Sequence, residues 1–415
     1  MTNAQGNPGW SAVLVAAVLM TMAAAIPAKA QSYAVPHSFS GPPDGSVPYA
    51  GLVLDASGNL YGTTTKGGDT TCVFYGCGTV FRISKAGEET VLHSFTGSPD
   101  GEGPYEGKLI LDTAGNLYGA TDNGGDLACS ASNGNGCGTI FKLDAAGTET
   151  VLYSFAGGTD AAYPLAGLVR DSAGNLCGTT YEGGGTSCMP PYGCGTVFKV
   201  DASGGEIVLH SFTGGRGGSQ PRAGLLRDGL GNLYGTTYLG GVQDLGTFFK
   251  LKATGNESGG YSFIGGTSGD YPRGNLLEHS GDFYGITSEG GNPACPDGCG
   301  TVFKIDSTGA ETVLYSFTGG TDGAAPVAGL VRDTAGNLYG TTYYGGSVAC
   351  NNGQGCGTVF KLDTTGGETV LHSFTGGTDG AYPLAGLVLD GVGNLYGTTS
   401  LGGASGYGVV FALRP

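Results

Sequence analysis

Short apolar segments recur along this chain in sets of four, separated by Gly- and Asp-rich stretches. One complete set reads AGLVRD (328–333), NLYGTTY (337–343), GTVFKLD (357–363) and ETVLHSF (368–374). Val, Leu, Tyr, Phe and Thr favour a pleated, half-buried surface, and connections such as DTAG and DTTG suit tight turns. None of the sets carries a ten-residue helical stripe, so each predicts a four-stranded antiparallel meander. The tag Gly-Asn-Leu-Tyr-Gly marks seven sets, at Asn59, Asn116, Asn175 (with Cys177 for Tyr), Asn232, Asp282 (as GDFYG), Asn337 and Asn394. Their spacings are 57, 59, 57, 50, 55 and 57 residues. Four strands at that period are the signature of a propeller blade.

The ends of the repeat region supply a separate argument. The chain stops after Gly408–Leu413, a copy of the third strand, and the region begins with Tyr33–Phe39, a copy of the fourth. Together they make up one blade. The prediction is therefore all-β: a single domain over residues 31–415, a seven-bladed β-propeller of four-stranded antiparallel blades. Its N-terminal strand completes the C-terminal blade and leaves no open sheet edge between the ends.

The pattern AGLV-x-D-x-x-GNLYGTT…GG…GCGTVFKLD…GGETVLHSFTGGTDGAYP resembles the tandem GloVer-type repeat of exported bacterial proteins and, more distantly, NHL-type propeller blades. The resemblance covers nearly all of residues 33–415 and implies export and a repeat fold. It implies no activity and no catalytic residues.

Composition agrees with a folded chain. Gly (85) and Pro (18) make up about a quarter of 415 residues, a level that without periodicity suggests disorder. The period, 39% apolar residues and only 13% charged residues point the other way. A net charge of −16 opposes sequence-independent binding to phosphate backbones and does not favour anionic membrane surfaces, so nucleic acid is not an expected partner. Trp10–Ile26 is an uncharged apolar run followed by Pro27-Ala28-Lys29-Ala30-Gln31, which reads as a secretory signal (residues 1–30) cleaved after Ala30. Residues 1–9 lack the basic residue that usually opens such a segment, which keeps an uncleaved anchor as the alternative. No later run is long enough to span a bilayer, so the mature chain is expected to be soluble, monomeric and secreted, periplasmic or surface-held.

Ten of the 11 Cys form close pairs in the loop between second and third strands: Cys72/Cys77, Cys129/Cys137, Cys188/Cys194, Cys295/Cys299 and Cys350/Cys356. The two repeats without a pair lack both members, as obligate partners would, which predicts five disulfides in an oxidising compartment. Metal binding is the rival, but no loop adds a second pair or a His. Cys177 takes a strand Tyr position and reads as a buried thiol.

Comparison among the repeats filters candidate catalytic residues. His37, His93, His210 and His372 share one fourth-strand slot with Tyr153, Tyr261 and Tyr315, so an imidazole is not required there, and His279 reads as a turn variant. No G-x-S-x-G elbow, H-E-x-x-H helix or phosphate-binding loop occurs. Asp55, Asp112, Asp171, Asp228, Asp333 and Asp390 open D-x-x-G-N turns. Asp44, Asp100, Asp160, Asp322 and Asp379 lie in blade-linking loops, where turn formation competes with a shared ring of carboxylates around one mouth. Ca²⁺ is the one ion such a ring would suit; no other cofactor is implied.

The repeats break symmetry at one slot after the linker Pro. Most carry Tyr49, Tyr105, Leu165, Val327 or Leu384, whereas repeats four and five carry Arg222 and Arg273, and repeat four adds Arg216. Three of eight Arg thus gather on one side of an acidic protein, which suits a planar anion. Pairing with carboxylates such as Asp244 or Asp270 is the alternative. The leading functional expectation is a secreted, non-enzymatic binding or interaction module that takes an acidic glycan or other anion at Arg216, Arg222 and Arg273, or an envelope protein. A polysaccharide or lactone lyase or hydrolase with channel carboxylates, and an envelope scaffold, are the competing classes.

Overall fold

A computed structural model describes residues 1–2, 31–70, 72, 75–129, 134–185 and 188–414. The segment read as a signal, residues 1–30, lies almost wholly outside the described residues.

Seven four-stranded antiparallel blades surround one axis. Blade one shows the plan: Val53–Leu54 lies innermost, followed by Leu60–Thr64, Thr79–Ile83 and Glu89–Ser94 at the rim. Blade five is longer, because Asp282–Glu289 also pairs with Asp270–Pro272. In the last blade Val388–Leu389, Leu395–Thr399 and Val409–Arg414 are completed by Ser32–Ser38 from the other end of the chain, with Ser32 opposite Arg414. The ring closes as the terminal half-repeats predict.

A Phe pair repeated at every seam holds neighbouring blades together. The Phe that follows each rim strand meets, edge to ring, the central Phe of the next blade's third strand: Phe39 meets Phe81, Phe95 meets Phe141, and so on to Phe374 and Phe411, with centroids 5.1–5.3 Å apart. These rings are buried, and this geometry is the one aromatic quadrupoles prefer. It also accounts for the second Gly of the repeat tag: a Cβ on Gly119 would lie 2.6 Å from the Phe141 ring.

The linkers lock each blade to the next by a second device. Before the linker Pro, each repeat holds a left-handed residue: Val47, Gly103, Tyr163, Gln220, Tyr271, Ala325 or Tyr382, with φ of 51–64°. Six are not Gly, and left-handed backbone costs such residues about 1–2 kcal/mol. Cross-blade hydrogen bonds offset that cost. The Tyr163 N–H donates to the Cys137 carbonyl, and the Tyr163 carbonyl accepts from the Tyr181 N–H.

The five disulfides form as paired in the sequence: Cys72–Cys77, Cys129–Cys137, Cys188–Cys194, Cys295–Cys299 and Cys350–Cys356, with Cα–Cα distances of 5.2–5.8 Å. The second member of each pair, Cys77, Cys137, Cys194, Cys299 or Cys356, is at most 2% exposed and belongs to the apolar core of its seam. The cause is its position two residues before the third strand, underneath the incoming linker. There its carbonyl accepts the N–H of the left-handed linker residue: Cys77 from Gly103, Cys194 from Gln220, Cys299 from Ala325 and Cys356 from Tyr382, as Cys137 does from Tyr163. The disulfides therefore anchor the loops to the seams. Cys177 is free and buried, and burial pushes its thiol up to about 11, so it is protonated at neutral pH.

Candidate functional site

The chain direction sorts the loops onto two faces. Disulfide loops and blade linkers share one face, and the hairpin turns within blades share the other. The inner ends of the linkers, running down into the first strands, line an axial cavity of about 200 Å³.

A ring of one residue per blade surrounds the axis, Gly51, Lys108, Gly167, Gly224, Asn275, Gly329 and Gly386, and all of these but Gly167 and Gly224 line the cavity. Gly is needed because neighbours touch; a Cβ on Gly329 would come within 2.7 Å of the Asn275 backbone. Blades two and five break the ring with Lys108 and Asn275 and carry Gly one position earlier, at Gly107 and Gly274. The Asn275 Oδ1 accepts the Gly224 N–H at 2.6 Å. Lys108 has no ion pair or hydrogen bond among the described residues. Its side chain opens to the cavity, yet the surrounding walls strip it of bulk water and lower its pKa.

Above this ring stand Arg222 and Arg273, two of the three Arg singled out in the sequence, and both line the cavity. Arg273 pairs not with Asp244 or Asp270 but with Glu106 of the blade-two linker, at 2.7 Å. Burial works against its charge and the Glu106 carboxylate more than offsets this. Arg222 has no carboxylate partner among the described residues. Its guanidinium lies 4.9 Å from the Tyr181 ring centre and 4.7 Å from that of Tyr238, and the Tyr181 hydroxyl is 3.4 Å away. Arg216 is exposed on the short 3₁₀ turn Gly215–Gly217 and is not among the cavity-lining residues.

Tyrosines dominate the rim of the mouth. Tyr49 and Tyr105 meet edge-on with centroids 4.9 Å apart, Tyr238 and Tyr271 lie at 5.0 Å, and Tyr343 and Tyr382 at 5.0 Å. Next to the Arg side, blades two and three bring acids together. Asp122 stands in the slot held elsewhere by Tyr181 and Tyr238. Burial pushes it up to about 7; the Asn123 amide opposes the shift, and Glu102, Glu106 and Glu182 add to it. The mouth is thus polar across its width, with Arg222 and Lys108 as cations that have no carboxylate partner among the described residues and a group of carboxyls around Asp122 on blades two and three.

The linker carboxylates do not form a shared ring around that mouth. Each closes its own turn: Asp100 accepts the Thr96 N–H and Asp322 the Thr318 N–H. Each also engages the rim-strand His or Tyr of its own repeat, as in His93 with Asp100 at 3.2 Å and Tyr315 with Asp322 at 3.0 Å. The His/Tyr slot is interchangeable because both residues can donate to this Asp. The D-x-x-G-N aspartates also serve turns, Asp55 accepting from the Ser57 and Asn59 backbones and the Asn59 and Tyr61 side chains. No group of three or more His, Cys, Asp or Glu is arranged to hold a metal ion among the described residues.

Sequence reading missed Glu106, Lys108, Asp122 and Asn275. Lys108 and Glu106 are hidden by a one-residue insertion after Pro104, and Asp122 and Asn275 each break a slot that the repeat comparison did not line up.

Among solved structures, the extracellular domain of a protein described as a one component system from B. thetaiotaomicron is 11% identical, with a TM-score of 0.51 over 90% of this chain; the chain spans 39% of that one. A protein described as a 6-phosphogluconolactonase from Bacteroides uniformis is 16% identical, with a TM-score of 0.47 over 77% of this chain and 84% of its own. A gluconolactonase from Xanthomonas campestris is 15% identical, with a TM-score of 0.40 over 72% of this chain and 82% of its own. At such identities a likeness reports the fold and not the chemistry. No curated protein matches. The Gloeobacter/Verrucomicrobia repeat model matches residues 22–190 and 186–411, so the chain belongs to that repeat family.

Proposed function

We propose that this protein is an extracytoplasmic binding module that takes an acidic carbohydrate at the axial mouth. The observation that carries the reading is the pair of cations, Arg222 and Lys108, lining one cavity with no carboxylate partner among the described residues. A guanidinium held against two rings has its orientation set in advance, and a planar carboxylate matches its donors. Tyr rings around the mouth offer flat faces to sugar rings and hydroxyls to their oxygens. A volume of about 200 Å³ is small beside ordinary ligand pockets, which suits one terminal sugar rather than a buried chain. Five disulfides support an oxidising compartment, and the segment 1–30 provides the route of export.

Titration calorimetry with trigalacturonic acid and a neutral galactose trisaccharide tests the reading. The acidic sugar should bind, Arg222→Gln should weaken it at least tenfold, and Arg216→Gln should leave it unchanged. Equal binding of the neutral sugar, or indifference to Arg222→Gln, overturns it.

Asp122 favours a second reading, a hydrolase of the same sugars. A carboxyl with a pKa near 7 beside other carboxylates has the protonation a general acid needs at neutral pH. Release of reducing ends from trigalacturonic acid, lost in Asp122→Asn, would support it.

A further inference from the structure

The seam between blades four and five differs from the others on the hairpin-turn face. Elsewhere the rim strand reads Glu-Thr-Val-Leu or close to it, with Val and Leu half-buried; in blade four it reads Glu257-Ser258-Gly259-Gly260, all four exposed. The bulge moves with the lost side chains, from between the second and third residues of the partner strand to between Lys250 and Leu251. Two enlargements fill part of the space: Phe248 replaces a Val or Ile and Phe283 a Leu. They pack with Tyr234, with centroids 4.6–6.4 Å apart. The filling is incomplete. In blades one to four and six, a Cβ on the outer-turn Gly would meet the preceding rim strand, as Gly147 meets the Leu92 carbonyl; at Gly309 nothing lies within 4 Å. A cleft of about 760 Å³ results, within the range of small-molecule sites.

Charge divides unevenly in this cleft. Asp228, Glu278 and Asp306 are occupied with backbone N–H groups of their own turns. Arg227 and Lys250 have no ion pair within 4 Å among the described residues, although the equivalent Arg170 reaches Asp112 at 4.0 Å and Lys304 reaches Asp282 at 3.1 Å; the Arg227 charge acts at longer range on Asp171 of blade three. Lys250 lies over the Tyr234 ring at 5.2 Å. We propose that this cleft is a second binding site, for a flat aromatic small molecule bearing one anionic group: rings against the aromatic floor and the side-chain-free Gly259–Gly260 wall, the anion toward Lys250 and Arg227.

The probes are 1-anilinonaphthalene-8-sulfonate and its uncharged relative N-phenyl-1-naphthylamine, followed by fluorescence on the intact folded chain. The sulfonate should bind with 1:1 stoichiometry and more tightly than the neutral dye. Restoring the common sequence with Ser258→Thr, Gly259→Val and Gly260→Leu should reduce its affinity at least tenfold, while Arg222→Gln on the other face should not change it. Undiminished dye binding by a refilled variant that melts at or above the parent temperature overturns the site. Should that variant melt lower, Lys250→Gln with Arg227→Gln decides, since neither removes packing: sulfonate affinity must fall severalfold with the neutral dye unaffected, and no change overturns the proposal.

Discussion

The Glu106 carboxylate and the Arg273 guanidinium meet at 2.7 Å across the axis, joining the linker of blade two to that of blade five. Their side chains are only 16% and 21% exposed, so the pair is a tie between nearly opposite sides of the ring. Removing one partner strands the other in a poorly hydrated place. Glu106→Gln is expected to destabilise the fold by about 1–3 kcal/mol, discounted for residual water, and Arg273→Gln added to it should recover part of the loss. Urea unfolding of the two single variants and the double variant measures the coupling. A coupling near zero would mean the pair does not brace the ring.

Three rim carboxyls give the protein a pH-dependent stability. Burial, then a neighbouring Asp charge, raises Glu149, Glu206 and Glu368 from 4.5 to about 7. Between those values the folded chain holds protons that the unfolded chain has released, so stability falls as pH rises through the window and levels off above 7. Half-exposure limits each group to about 1 kcal/mol. His210 and His372, which burial shifts down, act oppositely below their ordinary 6.5. The melting temperature should therefore rise from pH 8 to pH 6.5, and the triple Glu→Gln variant should be more stable at pH 8 and flatter across the range. A parent curve flat over that interval contradicts the assignment.

Gly119→Ala tests the seam packing. Its Cβ would stand 2.6 Å from the Phe141 ring and 2.8 Å from Leu109, so about 1–3 kcal/mol should be lost to overpacking. Gly391 has open space around it, and Gly391→Ala should change stability by less than about 0.5 kcal/mol. Equal effects by thermal melting would refute the close-contact account of the repeat tag.

Cys295 and Cys299 close the shortest of the disulfide loops, a separation of four residues. Their replacement by Ser should cost on the order of 2 kcal/mol on the chain-entropy model. In the native chain, iodoacetamide should leave Cys177 unmodified until denaturant is added. Rapid native labelling would show that the thiol is reachable.

Repetition made the architecture legible. A strand set copied seven times cancels local ambiguity, and the split of one set between Tyr33–Phe39 and Gly408–Leu413 revealed the closure directly. Its disulfide pairing was legible for the same reason, because loss of both members together is visible by comparison. The burial of Cys77, Cys194 and Cys356 was not, since it depends on a linker that arrives from the following repeat. The site was only half legible. Arg222 and Arg273 stood out as departures from a slot, but Arg273's partner comes from a linker more than 160 positions away, a proximity produced by ring closure. Glu106 and Lys108 also sit where an inserted residue shifts the repeat, so slot counting passed over them.

Pairing of Ser32 with Arg414 has a geometric corollary. Both residues stand at the turn end of the closing blade, so the two ends of the folded ring leave it side by side, on the face away from the tyrosine-rimmed mouth. A segment joined at either end therefore leaves from the face opposite the mouth, the face that also carries the cleft beside blade five.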